Sequence, residues 1–152
     1  PYQKQWDILQ TIPGIDAVGA ALLIIELGVD MEQFGNREQC CSWAGICPGN
    51  NESAGKRKSG KTPKGSKQLR YLLCEAANAA SKTECQFKHK YKSLMIRRGH
   101  KKAIVAVAHK MLRVIFSRLK TGEVYQDPEF CYEELVVKKN APRWIRMIRK
   151  YS

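Results

Sequence analysis

The stretch from Gly45 to Ala77, GICPGNNESAGKRKSGKTPKGSKQLRYLLCEAA, constrains this chain most. Its first half is too polar and too rich in Gly and Pro to enter a core. Its second half carries an apolar stripe at helical spacing. The fold must therefore keep a long loop, residues 46–66, outside the core while helices anchor both of its ends. A loop of this length inside a compact domain is more often functional than idle. Between Ser53 and Cys74 lie seven Lys or Arg residues and no Asp or Glu. Ser53, Ser59, Thr62 and Ser66 place hydroxyls inside that positive field. Gly55, Gly60 and Gly65 recur every five residues and give a backbone able to approach a phosphate closely. Hydroxyls on a cationic loop point to phosphate binding or phosphate chemistry.

The net charge of +13 over 152 residues favours a polyanionic partner, because Lys and Arg that neutralise phosphates release condensed counterions. The distribution says more. Residues 1–52 hold two basic and seven acidic residues, and residues 53–81 hold seven and one. Residues 82–120 hold twelve and one, and residues 121–152 hold six and five. The electrostatic footprint is thus the middle of the chain. No apolar run approaches the roughly 20 residues that span a bilayer, and the longest, Ala17 to Ile25, includes Gly19. No membrane partner is expected. Nothing reads as a signal peptide, and Pro1 enters directly into a helical pattern, so the chain reads as a piece of a longer protein.

Six cysteines, at 40, 41, 47, 74, 85 and 131, form no C-x-x-C pair and read as reduced thiols. A zinc site from Cys40, Cys41, Cys47 and one histidine fits no known spacing, so no metal site is assigned to this chain.

The expected fold class is all-α: one compact domain of six or seven helices with a long basic Gly/Ser loop. Residues 1–11 read as a helix with Tyr2, Trp6 and Leu9 on one face. Pro13-Gly14 turns the chain, and Asp16 caps a helix to about Leu27 with Val18, Ala21, Leu22 and Ile25 as its inward stripe. The Ile12-Pro13-Gly14-Ile15 turn between two helices (8–28) resembles a helix-hairpin-helix, in which backbone amides meet a DNA phosphate. An ordinary αα-corner is the other reading. Asp30 to Gly35 is one turn, anchored by Phe34. Asn36 caps a helix to about Ala44, with Trp43 assigned to the core. Further helices are predicted over Ser66–Ser81, Glu84–Arg98 and Lys101–Lys120. The last of these has the clearest stripe: Ile104, Val107, Ala108, Met111, Leu112, Ile115 and Leu119. His109 lies just off it and reads either as structural or as a phosphate-contacting or proton-transferring group. Pro128 starts a helix to about Lys139 and Pro142 starts a final one. No segment alternates well enough to predict a strand.

Ile12-Pro13-Gly14-Ile15, Phe34, Trp43-Ala44-Gly45-Ile46-Cys47-Pro48, Glu52-Ser53-Ala54-Gly55-Lys56-Arg57, Lys64-Gly65, Leu69-Arg70-Tyr71-Leu72-Leu73 and Ala76-Ala77 occur in this order. Together they resemble the C-terminal domain of insertion-sequence transposases of the IS-one-ten type, also grouped with IS-one-sixteen and IS-nine-oh-two. The resemblance covers residues 8–125. It implies a serine domain over 1–125, with 126–152 as a helical extension of that domain. It also implies a DNA recombinase guided by a bridge RNA, acting as a homo-oligomer in a prokaryotic cytoplasm at the nucleoid. The metal ligands, and the magnesium they imply, would belong to an N-terminal RuvC-like domain not present here, so no cofactor is expected in this chain. The family's catalytic serine falls on Ser53; here Ala54 stands between Ser53 and Gly55.

The residues agree with that implication. A serine hydroxyl is a weak nucleophile and needs placement or activation. Cations such as Lys56, Arg57 and Arg70 can neutralise charge growing on a phosphodiester. The nucleic-acid-binding set is Lys56, Arg57, Lys58, Lys61, Lys64, Lys67 and Arg70. Ser66 is better explained as a helix cap. Two rival readings remain. One is a non-catalytic helical DNA- or RNA-binding module using the hairpin and the loop. The other is a basic RNA-associated protein whose contact surface is the segment 82–120.

Overall fold

A computed structural model describes residues 1–47, 51–53, 56–59, 64–128 and 132–151. For 51–53, 56–59, 132–136 and 139 only the backbone is described. Helix α1 (Gln3–Gln10) leads through a tight turn to α2 (Ala17–Leu27), a 3-10 turn (Met31–Phe34) and α3 (Arg37–Trp43). Two short strands follow, β1 (Asn51–Ser53) and β2 (Lys56–Ser59). Then come α4 (Lys67–Ala80), α5 (Gln86–Arg98), α6 (His100–Thr121) and α7 (Tyr132–Tyr151).

The helical class holds. The strands are a local exception inside the basic loop, which the sequence leaves unstructured. Too short to show a period-2 pattern, they pair with each other, antiparallel.

Helix α6 is the axis of the core. At 1.5 Å per residue its 22 residues run about 33 Å. Ala103, Ile104, Val107, Ala108, Met111, Leu112, Ile115, Phe116 and Leu119 are all buried along it. Around that stripe pack α1, the 3-10 turn, α3, α4 and α5. Helix α4 contributes Leu69, Leu73, Ala76, Ala77 and Ala80, and α5 contributes Phe87.

The predicted caps form as their chemistry requires. Asp16 Oδ1 accepts from Gly19 N at 2.7 Å, Asn36 Oδ1 from Gln39 N at 2.8 Å and Ser66 Oγ from Leu69 N at 3.1 Å. Each satisfies an amide that the first helical turn leaves without a partner.

The turn between α1 and α2 is where the fold is tightest. Gly14 has φ +89°, and a Cβ there would lie 2.2 Å from the Ala76 carbonyl oxygen and 2.9 Å from Ala80 N. The glycine therefore serves close packing of the turn on α4, as in an αα-corner. Trp6 locks the corner from the other side, its indole N–H donating to the Ala17 carbonyl at 2.9 Å.

Four expectations are corrected. Helix α2 buries Ala20, Leu23 and Leu27, while Val18 and Ile25 are exposed and Ala21 and Leu22 half-buried. Almost every residue of α2 is apolar, so periodicity could not choose its inward face; packing against α1 and α4 did. Trp43 is exposed at the edge of α3, where it packs on Phe34 with ring centroids 5.2 Å apart. Cys40, Cys41 and Ala44 occupy the inward positions instead. Tyr2 is exposed and precedes α1. Finally, Pro142 lies inside α7, which runs unbroken from Tyr132 to Tyr151 and does not start at Pro128. A proline removes one helical hydrogen bond, and an exposed helix tolerates that loss.

The hydrophobic core joins residues of α1 to α6, and among the described residues none of α7 belongs to it. Among the described residues no helix packs along α7.

Gly14→Ala combines a left-handed φ with a backbone collision. It is expected to cost about 3 kcal/mol or more of unfolding free energy, read as a lower midpoint in urea denaturation. A variant as stable as the native chain would show that the corner can relax away from α4.

Candidate nucleic-acid interface and hydroxyl site

The basic loop leaves the helical body through a narrow foot. Gly45 ends α3 with φ +70° and is buried. Gly65 returns against it: a Cβ on Gly65 would lie 2.5 Å from the Ala44 carbonyl carbon and oxygen and from Gly45 N. Only a residue without a side chain can approach that closely. Arg70, half-buried one turn into α4, donates a guanidinium N–H to the Gly45 carbonyl. Ser66 Oγ, besides capping α4, donates to Glu26 Oε2 of α2 at 3.2 Å. Three independent contacts therefore hold the loop's two ends together and fix them to α2, α3 and α4.

Beyond the foot the chain forms a β-hairpin. The register pairs Asn51 with Ser59, Glu52 with Arg57 and Ser53 with Lys56, with an irregularity between Asn51 and Glu52. Ser53 is thus the last residue of β1, paired with the first residue of β2. Ala54 and Gly55, between them, lie outside the described residues.

The expected binding residues separate into two groups. Lys56, Arg57 and Lys58 occupy β2, directly after the Ser53 end of the hairpin. Lys64 and Lys67 are exposed at the foot, and Arg70 is spent partly on the Gly45 carbonyl. Lys61 lies outside the described residues. The contribution of Glu26 and the backbone contact of Gly65 were not legible in advance. Both depend on residues distant in sequence, and only the recurring glycines hinted at close backbone approach.

Cys47, just before the loop, lies with its sulfur 3.7 Å from His109 Nε2. Burial pushes the Cys47 thiol up. Burial, with Arg113 and Lys90 outweighing Glu38, holds His109 below its ordinary value. Thiol and imidazole are both neutral near pH 7, so they do not form the thiolate–imidazolium pair of a cysteine nucleophile. This supports the structural reading of His109. Cys40 and Cys41, fully buried, are each pushed up to about 12 by desolvation and nearby thiols. Cys40, Cys41, Cys47, Cys74 and Cys85 are free thiols. Among the described residues no three His, Cys, Asp or Glu converge on a possible metal site.

The basic segment 82–120 is partly neutralised from within. Arg113 pairs with Glu38 and Arg118 with Glu123, each at 3.3 Å, and Lys120 with Glu32 at 3.0 Å. Lys88 pairs with Glu84. Arg97, Arg98, Lys101 and Lys102 are exposed at the α5–α6 turn.

The His109 environment gives a pH prediction. The folded state disfavours the protonated imidazole, so the unfolded state binds more protons as pH falls. The stabilisation is present above the unfolded value of about 6.5 and is lost as pH drops through the lower folded value. The urea midpoint should therefore fall between pH 7 and pH 5, and His109→Gln should make that fall shallower. An unchanged slope in the variant would assign the pH dependence to other groups.

The profile of the Transposase IS116/IS110/IS902 family matches residues 6–92, from within α1 through α4 and the hairpin to the first half of α5. The chain is 28% identical over 127 residues to a putative transposase, y4pF/y4sB, of Sinorhizobium fredii, covering 80% of this chain and 33% of that protein. It is 31% identical over 123 residues to the transposase for insertion sequence element IS1111A of Coxiella burnetii, covering 78% of this chain and 34% of that protein. The chain thus spans about a third of the length of these curated relatives. With more than half of its residues matched by one family profile, the chain belongs to the Transposase IS116/IS110/IS902 family.

Proposed function

We propose that this chain is the part of a DNA transposase that binds DNA and supplies the serine nucleophile, Ser53. One observation carries the reading above the others: Ser53 ends β1 in register with Lys56, on a hairpin whose second strand holds three consecutive cations. The hydroxyl thus belongs to a paired backbone element with a fixed foot, next to charge suited to a phosphodiester.

In the proposed step Ser53 Oγ attacks a DNA phosphorus. An Oγ–P bond forms, one P–O bond to a sugar breaks, the serine proton is lost and the departing sugar oxygen gains one. The product is a phosphoserine–DNA link that retains the ester for rejoining. Lys56, Arg57 and Lys58 offset charge on the phosphate oxygens. Lys61, Lys64 and Lys67 extend the cationic run in sequence, and Lys64 and Lys67 are exposed at the foot. On this reading Arg70 is a positioning residue that holds the foot.

Among the described residues no three His, Cys, Asp or Glu converge on a metal, and the proposed step is written with this chain's own groups. The proposal places magnesium in a RuvC-like domain outside this chain, and it includes a guide RNA and a homo-oligomer as partners of the whole protein. The isolated chain is then expected to bind DNA without cleaving it.

The Gly14 contact with α4 leaves the α1–α2 turn a packing role and so weakens the reading that needs a phosphate-binding hairpin there. The reading as a purely binding module therefore rests on the loop alone, and Ser53 separates it from the catalytic one.

In the full-length transposase that carries this domain, with guide RNA, metal and labelled target DNA, a denaturing gel should show a DNA–protein adduct. Ser53→Ala should abolish the adduct while DNA affinity changes by less than about threefold. No adduct with the native protein under saturating DNA would favour the binding module. Separately, replacing Lys56, Arg57 and Lys58 with Gln should lower the slope of log K on log salt by about 0.9 per cation engaged. An unchanged slope would remove β2 from the DNA interface.

A further inference from the structure

Away from the hairpin, α6 carries a second cationic face. Lys110, Arg113, Ser117 and Arg118 follow at offsets of three, seven and eight residues and so share one side of that helix. Arg37, the first residue of α3, joins them in lining a cleft of about 350 Å³. Among the described residues that line it are four cations and no Asp or Glu. Carboxylates meet these cations from beyond the lining. Glu38 takes Arg37 and Nη2 of Arg113, and Glu123 takes Nη1 of Arg118. The Nε–H groups of Arg113 and Arg118 are buried and have no hydrogen-bond partner among the described residues. Lys110 is half-buried and forms no ion pair among them. Burial first, and then Lys90, disfavour its charged form, with Asp127 and Cys85 opposing. Asp127 is itself engaged, accepting from Gln86 N and the Tyr125 hydroxyl.

We infer that this cleft is a phosphate-binding site, formed by Arg37, Lys110, Arg113 and Arg118 and separate from the hairpin. A buried N–H without an acceptor keeps its desolvation cost uncompensated, and native folds leave few such groups. Here two of them belong to neighbouring arginines on one cleft. Like charges one turn apart on a helix also repel. A tetrahedral oxyanion answers both: its oxygens accept from several directions at once, and its charge offsets the clustered cations. Guanidinium groups match phosphate oxygens in geometry as well as in charge. The Ser117 hydroxyl on the same face adds one more donor. The phosphate has two sources. Arg113 lies one turn beyond His109, whose Nε2 is 3.7 Å from Cys47 Sγ at the start of the loop. A nucleic-acid strand held by the hairpin is therefore one source, and free phosphate is the other. Neither depends on the Ser53 chemistry.

The test follows the Nε–H signals of Arg113 and Arg118 by NMR in the 152-residue chain, assigned with Arg113→Lys and Arg118→Lys. One arm titrates inorganic phosphate at constant ionic strength, with chloride as the control. The other adds a short DNA duplex to a chain whose Lys56, Arg57 and Lys58 are replaced by Gln, so that the hairpin contributes little. Both signals should shift saturably in at least one arm. Lys110→Gln, with helix content verified by circular dichroism, should weaken that binding about fivefold or more. A response to inorganic phosphate assigns the cleft to the free anion, and a response to DNA alone assigns it to a strand; either supports the site. Silence in both arms overturns it. So does an equal response to chloride, which is screening without a site. Unchanged affinity in Lys110→Gln overturns it as well. None of these outcomes bears on whether Ser53 forms an adduct.

Discussion

Gly65 lies backbone to backbone against Ala44 and Gly45, and the rest of the site depends on that contact. A long loop free at its base would sample many orientations. Closing its ends costs only a slowly growing entropy, so a few short-range contacts suffice. Arg70 on the Gly45 carbonyl supplies a charge-assisted bond in a half-buried setting, where such bonds contribute on the order of 1.5–3 kcal/mol. Ser66, between Leu69 N and Glu26, ties α2 into the same knot. The hairpin then stands on a base made by three helices. Of those helices, α3 and α4 pack on α6, whose buried stripe, Ala103 to Leu119, gathers the domain, and α2 packs on α4.

The charge pattern follows the same division of labour. Where cations sit on the helical body they meet the body's own carboxylates: Arg113 with Glu38, Arg118 with Glu123, Lys120 with Glu32. Such exposed pairs stabilise little, at most about 1 kcal/mol each, but they reduce the positive field over the core. The stretch from Lys56 to Lys67 contains no acidic residue. A phosphate approaching β2 therefore meets a run of cations, with Glu52, paired in register with Arg57, as an acidic neighbour on the hairpin. On the proposed reading, function is concentrated in the hairpin, while α1 to α6 supply a frame.

How much of this the sequence carried depends on how local each cause was. Asp16, Asn36 and Ser66 were legible as caps because capping chemistry acts within three residues. Helices α4 and α6 were legible because one face is apolar and the other charged. Helix α2 was not, since nearly all of it is apolar and only α1 and α4 decide which side is buried. Trp43 followed the general preference of tryptophan for interiors and was displaced by the smaller Cys40, Cys41 and Ala44. Pro142 reads as a helix start by local rules, yet the exposed α7 continues through it. In the candidate site, the cationic run and its hydroxyls were legible from type and spacing, while the choice of Ser53 among them rests on the family resemblance. The pairing of Ser53 with Lys56 was not, because three- and four-residue strands carry no usable period. Nor was the foot, which joins residues some 20 to 40 positions apart.

The most direct test is to find the atom that DNA is joined to. The adduct trapped with the full-length transposase would be digested with protease and nuclease, and the peptide bearing the nucleotide remnant sequenced by mass spectrometry. The account predicts the remnant on Ser53. A remnant on Ser59, Ser66, a tyrosine or any other hydroxyl would contradict it and move the chemistry away from the end of β1.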